Sequence, residues 1–369
     1  MMDLSTEDKL RLNVLLSQSL QAIRIDESRM ELHALSEKGE AKVTLHPNCK
    51  DEKYLKIVRQ WLSTNILGSP GGYPVFLRRW TRMGQTRNDS LDKLLLLGEP
   101  EAVVAVVHAE NVSNEIAKRA WWCAPNSENA RCLLTSKHVV TGSMGKELAA
   151  FLVEFLPFEE SSKAIMKSVK LILQKELISD ETKLDIWKRS KRRNAFYVGF
   201  IKQCPDSLPT DAHPHKHYET CKSLSTQFNS ENAYANKLSQ IFSPQGQAVL
   251  DAVITVISKP NDQDVAVEIF NTIGHHFKID KSLPKDWRNL DELQSHVESI
   301  FTSPCEEIST VLNLWPDAKM YLHAILYLSM LSETLLDPVF GVTDSIGSVM
   351  RNRMVHLTKP ILIQLNALK

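Results

Sequence analysis

The stretch from Leu91 to Glu160 limits what this chain can fold into. It contains several short apolar segments, each about one to three helical turns long, and residues that begin or end helices lie between them. The separators are Gly98-Glu99-Pro100, Asn111 to Ser113, Pro125-Asn126-Ser127, Gly142 to Gly145, and Pro157. This arrangement predicts a stack of short helices, which is a scaffold with no reactive group in evidence.

The separators also predict individual helix ends. Pro100 suits the first turn of a helix, where its missing N–H is not needed. Ser113 and Ser127 are each followed within two residues by glutamate, which predicts two N-caps with acidic first turns. Pro125 and Pro157 should each end the helix before them.

The N-terminal region shows a different periodicity. Residues 1–25 are predicted to form a helix that begins near Ser5. From Arg29 to His46, apolar and polar residues alternate on both sides of a short turn containing Gly39, which indicates a β-hairpin. The fold is therefore predicted to be mostly α, an irregular stacked-helix (α-solenoid-like) architecture with one small N-terminal β-hairpin. No exact repeat period establishes a HEAT or TPR array.

The chain has 369 residues, enough for two or three domains or one elongated array. Residues 203–232 have little apolar content and three prolines, which predicts a linker loop. The predicted organisation is a hairpin and stacked-helix domain over residues 1–202, this linker, and a C-terminal helical domain over residues 233–369.

Composition excludes several classes of protein. Hydrophobic residues make up 43% of the chain and charged residues 24%, as in a globular protein with a packed core. The 44 basic residues equal the 44 acidic ones, so the whole chain has no electrostatic drive toward nucleic acid or anionic membrane. Only 13 glycines are present, and no phosphate-binding glycine motif or metalloprotease motif occurs.

The cysteines and the N-terminal sequence indicate where in the cell the protein is expected. The six cysteines are scattered without a C-x-x-C pair, so we expect reduced thiols. The N-terminus is polar and acidic, and no apolar run approaches the length of a membrane span. We therefore expect a cytoplasmic protein with no membrane-spanning segment.

Two groups of residues are candidates for binding a protein partner. Trp121 and Trp122 are adjacent, and Arg78, Arg79 and Arg82 form a local basic face. Aromatic and arginine side chains are enriched where proteins bind one another. The alternatives are that the tryptophans pack between stacked helices and that the arginines form a solvated face.

A basic cluster is the candidate for binding nucleic acid. It consists of Lys188, Arg189, Lys191, Arg192 and Arg193, with Phe196 and Tyr197 close behind. Cations interleaved with aromatic rings can bind RNA or DNA. A solvated helix end, or pairing with acidic segments such as Glu159-Glu160, explains the same residues.

The predicted linker contains a candidate metal site. Its ligands would be His213, His215 and His217 together with Cys204 and Cys221. Imidazole and thiolate are good zinc ligands, but this spacing matches neither a zinc finger nor a zinc ribbon. An exposed polar loop is the alternative.

The sequence shows no Cys–His or Ser–His pair that indicates catalysis. Adjacent carboxylates such as Glu159-Glu160 point in different directions on a helix and do not form a catalytic dyad. We expect a non-enzymatic protein that needs no cofactor. An enzyme stays open as an alternative, because catalytic groups often meet only in space.

A resemblance to a known family adds to these expectations. The segments GEPEAVVAVVHAENVSNEIAKRAWW, SENARCLL and GKELAAFLVEFLPFEE resemble the sulfur reduction protein DsrS family. The resemblance implies a cytoplasmic accessory or regulatory protein of dissimilatory sulfur oxidation, with a protein partner from that pathway. It implies no catalytic residue, and it assigns no role to Cys123 or Cys132 of this central block. The alternatives are a post-transcriptional regulator that binds RNA through residues 188–193, and a thiol or metal protein that handles sulfur.

Overall fold

The computed structural model describes residues 4–68, 91–210, 212–228, 231–279, 283–284, 286–341 and 347–369. These residues form 20 α-helices and one three-stranded antiparallel sheet, so the fold is mostly α as predicted. The chain divides into two compact units, Met1–Phe155 and Leu156–Lys369. The predicted linker, residues 203–232, lies inside the second unit and contains a ten-residue helix, because Cys221 and Leu224 bury one face of that segment.

The first unit begins with a helix and the sheet. Helix α1 precedes the strands, and helices α2 to α8 follow them. The strands are β1 (Leu20–Asp26), β2 (Glu31–Ser36) and β3 (Gly39–Thr44), in the spatial order β1-β2-β3. The helices are α1 (Thr6–Leu16), α2 (Asp51–Leu67), α3 (Leu91–Leu94), α4 (Pro100–Val107), α5 (Asn114–Cys123), α6 (Ser127–Leu133), α7 (Lys137–Val140) and α8 (Ser143–Phe155).

The predicted hairpin is confirmed as β2 and β3, which Ser36 and Gly39 close across a two-residue turn. The helix predicted over residues 1–25 is wrong beyond Leu16, because the chain enters β1 at Leu20. Strand β1 pairs with β2 on one side, and on its other side the Ile23 N–H donates to the carbonyl of Leu95 at 2.8 Å. These partners come from later in the chain and stabilise an extended conformation that the local sequence does not specify.

The short helices of this unit begin and end close to the predicted positions. Pro100 occupies the first turn of α4, and the Ser113 side chain caps α5 by accepting from the Ile116 N–H at 3.2 Å. The cap of α6 is Asn126, one residue before the predicted Ser127. Gly98 joins α3 to α4 with a φ of 64°, a conformation that side chains other than glycine rarely adopt.

The described residues of the second unit form helices joined by loops, and no strand occurs among them. Two of its helices cross closely at Gly199, where a Cβ atom would lie 2.6 Å from Val169. Its helices are α9 (Ser162–Ile172), α10 (Asp180–Arg189), α11 (Ala195–Gln203), α12 (Tyr218–Gln227), α13 (Ala233–Phe242), α14 (Pro244–Ser258), α15 (Gln263–His276), α16 (Leu290–Thr302), α17 (Glu306–Leu314), α18 (Ala318–Ser329), α19 (Asp337–Phe340) and α20 (Gly347–Ala367). In the described part of the chain, no helix is both long enough and apolar enough to cross a membrane.

A buried carboxylate connects three elements of the first unit. Asp8 of α1 is fully buried and accepts hydrogen bonds from the Tyr54 hydroxyl on α2 and from the His46 N–H at 2.8 Å, just after β3. Burial alone would raise the pKa of Asp8, but the bonds from Tyr54 and His46 outweigh it and lower the pKa below 3.8. The charged carboxylate therefore fixes α1 against α2 and the end of β3.

We expect Asp8→Asn to destabilise the protein by about 1–3 kcal/mol at pH 7, since the amide loses the charge that these donors stabilise. A carboxyl with a lowered pKa contributes stability that is fully present above its unfolded pKa of about 4 and is lost as the pH falls through the folded value. The difference between wild type and variant should therefore shrink as the pH falls below about 4. Urea unfolding at a series of pH values measures it.

Asp185→Asn is the matched control, because Asp185 is exposed and lies 3.4 Å from Lys188. It should change stability by less than about 0.5 kcal/mol. An equal loss in both variants would show that the Asp8 network does not stabilise the fold.

Candidate metal centre

Three potential metal ligands meet where α4 packs against α6. Ala102 and Val106 of α4 and Ala130 and Leu133 of α6 are fully buried and hold the two helices together. His108 follows the last residue of α4, and Glu128 and Cys132 lie four residues apart on α6. Residues at this spacing share one face of a helix, so Glu128 and Cys132 both face His108.

The three ligand atoms are close to one another. Cys132 Sγ lies 3.3 Å from His108 Nε2 and 3.6 Å from Glu128 Oε1. All three atoms lie within 4.8 Å of one another. Within the described ranges, this is the one such group of three or more histidine, cysteine or carboxylate side chains.

Neighbouring groups orient the two exposed ligands. His108 Nδ1 donates to the Val104 carbonyl at 2.9 Å, so the lone pair of the neutral imidazole is on Nε2, toward the thiol. Arg131 Nε and Nη2 donate to Glu128 Oε2 at 3.1 and 2.9 Å, which leaves Oε1 toward Cys132. Hydrogen bonds of this kind from surrounding groups are typical of metal ligands.

Cys132 is buried, whereas His108 and Glu128 are exposed. A cavity of about 470 Å³ lies beside the group and is lined by both His108 and Cys132. Glu110, Asn111 and Lys137 also line it and make it polar. A metal ion held by the three side chains would therefore have solvent or a small ligand within reach.

Sequence reasoning missed this group because 24 residues separate His108 from Cys132. Only the spacing of Glu128 and Cys132 is a local signal, and it is a weak one. His108 lies beside Cys132 because α4 packs on α6, and a single sequence does not reveal that packing.

The predicted metal ligands of residues 203–232 have different surroundings. His215 is buried, with its ring 3.9 Å from that of Phe242, and its Nδ1 accepts from the His217 N–H at 3.2 Å. Cys221 is fully buried and Cys204 is half-buried. His213 is exposed and His217 half-buried. These five residues do not form a close ligand group in the described structure.

Burial sets the protonation of these groups. It lowers the pKa of His215 to about 4, with smaller contributions from His217 and Lys216. Burial also raises the pKa of Cys221 to about 12 and that of Cys204 above its usual value. His215 and Cys221 are therefore neutral near pH 7 and belong to the core of the second unit.

The predicted partner-binding tryptophans both have contacts inside the first unit. The Trp121 ring meets Phe151 edge to face at 4.8 Å. The guanidinium of Arg24 lies 4.6 Å from the Trp122 ring, and Trp122 Nε1 donates to Glu40 at 3.4 Å. Both tryptophans are half-buried, which leaves part of each ring at the surface. The predicted arginines at positions 78, 79 and 82 lie outside the described residues.

The basic cluster is mainly at the surface. Arg193 is half-buried and donates to the backbone carbonyls of Glu159 and Glu160 at 2.6 and 2.9 Å, so it connects two segments of the fold. Lys188 lies 3.4 Å from Asp185. The exposed members are Lys188, Arg189, Lys191 and Arg192. Binding of RNA through this cluster stays a prediction.

Comparison with protein-family models, curated proteins and solved structures found no significant match.

The neutral state of His215 predicts how the stability of the protein depends on pH. Its folded pKa lies below its unfolded one, so the unfolded chain binds the extra proton and stability falls as the pH drops from about 6.5 toward 4. His215→Phe keeps a ring beside Phe242 and removes this titration. Between pH 6.5 and 4, the free energy of unfolding should fall by up to about 3 kcal/mol less in the variant than in wild type. Chemical unfolding at a series of pH values measures the difference.

Replacement of the exposed His213 by Gln should leave the pH profile unchanged. Burial also lowers the pKa of His276 to about 4, so the profile of His215→Phe should retain a slope from that residue. Identical profiles for wild type and His215→Phe would contradict the assignment.

Proposed function

We propose that this protein binds a thiophilic divalent metal ion, of which Zn²⁺ is the model case, through Cys132, His108 and Glu128. The observation that supports this proposal is the spacing of the ligand atoms. For zinc bond lengths of about 2.3 Å to sulfur and about 2.0–2.2 Å to nitrogen or oxygen, tetrahedral geometry separates the sulfur from each of the other two ligand atoms by roughly 3.5–3.7 Å. The distances of 3.3 and 3.6 Å from Cys132 Sγ fall close to that spacing.

Charge balance favours the same conclusion. A thiolate and a carboxylate together offset the two charges of the ion, and the imidazole binds as a neutral ligand. A cation between Cys132 Sγ, His108 Nε2 and Glu128 Oε1 would contact all three atoms at once. The cavity beside Cys132 would serve the fourth coordination position.

The biological setting rests on the resemblance to the DsrS family. We propose an accessory or regulatory, non-enzymatic protein of cytoplasmic dissimilatory sulfur oxidation that interacts with a protein of that pathway. The partly exposed rings of Trp121 and Trp122 support a partner-binding surface in the first unit. In this setting the metal centre would position a thiolate for a sulfur-containing ligand or stabilise the helices that bind the partner.

Metal titration tests the proposed centre. We expect wild type to bind one equivalent of Co²⁺ at this site with a thiolate-to-metal charge-transfer band, and Zn²⁺ to displace it. Cys132→Ser should abolish the band, and His108→Gln should weaken binding by at least about tenfold, since each removes a ligand. Ultraviolet absorption and calorimetry measure the two effects.

Cys123→Ser is the matched control, because Cys123 is a half-buried thiol of the same unit whose pKa burial raises to about 12. It should bind metal as wild type does. A charge-transfer band that survives in Cys132→Ser would contradict the proposal. Circular dichroism of the metal-free variants separates loss of a ligand from loss of the fold.

The same Cys–His pair supports a second candidate, a sulfur carrier in the metal-free protein. His108 Nε2 is placed to take the thiol proton, and Val104 orients the ring, as in an activated nucleophile. The Cys132 thiolate would attack the outer sulfur of a small persulfide R–S–SH. The S–S bond breaks, a thiolate RS⁻ leaves, and Cys132 carries the transferred sulfur as S–SH.

Glutathione persulfide is the probe for this candidate. In a Cys305→Ser background, which removes the exposed thiol, we expect a mass gain of one sulfur atom. The gain should disappear in Cys132→Ala and persist in Cys123→Ser, because Cys132 has His108 placed to activate it. Intact-mass spectrometry measures it, and an unchanged gain in Cys132→Ala would exclude the carrier.

A further inference from the structure

We propose that the outer edge of β3, with α1 beside it, binds an extended segment of a partner protein by strand addition, and that this segment alternates apolar and acidic residues. The groove between these two elements has a volume of about 700 Å³. It is distinct from the metal centre and shares no lining residue with it. The inference therefore stands independently of metal binding.

The backbone of β3 supplies the pairing groups. Within the part of the chain that the structure describes, β3 pairs with β2 alone and forms one edge of the sheet. Leu45 N–H donates to the Met30 carbonyl at 2.8 Å, and the Ser36–Gly39 pair closes the turn. Since facing pairs alternate along an antiparallel ladder, the N–H and C=O groups of Lys42 and Thr44 point away from β2.

These outward groups are available to another strand. Among the described residues, the Thr44 carbonyl accepts a long bond of 3.4 Å from the half-buried Arg11, in agreement with its outward direction. An edge of this kind is the usual site of strand addition, in which main-chain hydrogen bonds provide affinity.

Helix α1 supplies an apolar surface below that edge. Leu10 and Val14 lie four residues apart on α1 and are 66% and 58% exposed. They line the groove together with Ala41 and Val43 of β3. An added strand would place every second side chain over Leu10 and Val14, so its sequence needs an apolar residue at alternate positions.

The charges that line the groove favour acidic residues at the remaining positions of the added strand. Arg11, Lys42 and His46 line it, and no carboxylate does among the residues described. The ion pairs of Arg11 with Glu7 and of Lys42 with Glu31 are partly exposed, so a ligand carboxylate can exchange with them at little cost. A second copy of this edge would bring like charges together, which favours an acidic partner over self-association.

A labelled ten-residue peptide of alternating valine and glutamate is the probe, and fluorescence anisotropy with the full-length protein is the measurement. We expect saturable binding, and a valine–lysine peptide of the same length should bind at least about tenfold more weakly. Lys42→Pro removes one outward N–H and should weaken binding by about five- to tenfold without disturbing the bonds to β2. Leu10→Glu should weaken it further, because it removes apolar surface and repels the ligand.

Ile363→Glu is the matched control, since Ile363 is also 66% exposed and lies in the second unit. It should bind the valine–glutamate peptide as wild type does. Hydrogen exchange gives a direct readout, in which the amides of Lys42 and Thr44 gain protection when the peptide binds. Circular dichroism confirms that each variant is folded.

Equal binding of the two peptides would overturn the charge assignment. Unchanged affinity of both Lys42→Pro and Leu10→Glu would overturn the site. Concentration-dependent dimerisation that Lys42→Pro abolishes would show that a second copy of this chain is the occupant. Binding of the peptide by protein loaded with Zn²⁺ and by metal-free protein should be equal.

Discussion

Burial of the apolar faces of short helices is the interaction on which the first unit depends. A helix of seven to ten residues is not stable alone in water, so α4, α5 and α6 exist because each is packed against the next. Ala102, Val106, Ala130 and Leu133 are fully buried at these contacts. The same packing brings His108 against the face of α6 that holds Glu128 and Cys132. The candidate metal centre is therefore a product of helix packing.

Two polar interactions of this unit share one pattern, in which a charged group joins elements that are distant in sequence. Asp8 connects α1, α2 and the end of β3, and Arg24 connects β1 to Trp122 on α5. Burying these charged groups costs desolvation free energy, which the contacts offset only when the sheet and the helices are correctly placed. The contacts therefore specify how the sheet packs against the helices. The outer edge of β3 pairs with no other strand in the described structure, so it is the edge at which we propose strand addition.

Sequence reasoning succeeded where the signal is local. The β2–β3 hairpin followed from period-two alternation and its turn, and the Ser113 cap followed from residues within one helical turn. It failed where partners lie far along the chain. Strand β1 was assigned to a helix because its pairing with β2 and Leu95 cannot be seen in Leu20–Asp26 itself. The His–Cys–Glu group was missed for the same reason. The spacing of the histidines in residues 203–232 suggested metal ligands, but His215 packs against Phe242 in the core of the second unit.

The closeness of the three ligands in the chain has a consequence for biosynthesis. His108, Glu128 and Cys132 fall within one span of the first unit, and the outermost two are 24 positions apart in the sequence. Closing so short a loop costs little chain entropy, and local contacts form quickly. Folding during translation proceeds from the N-terminal side, so all three side chains leave the ribosome before most of the second unit is made. A nascent chain could thus acquire the proposed metal ion before most of the second unit is synthesised.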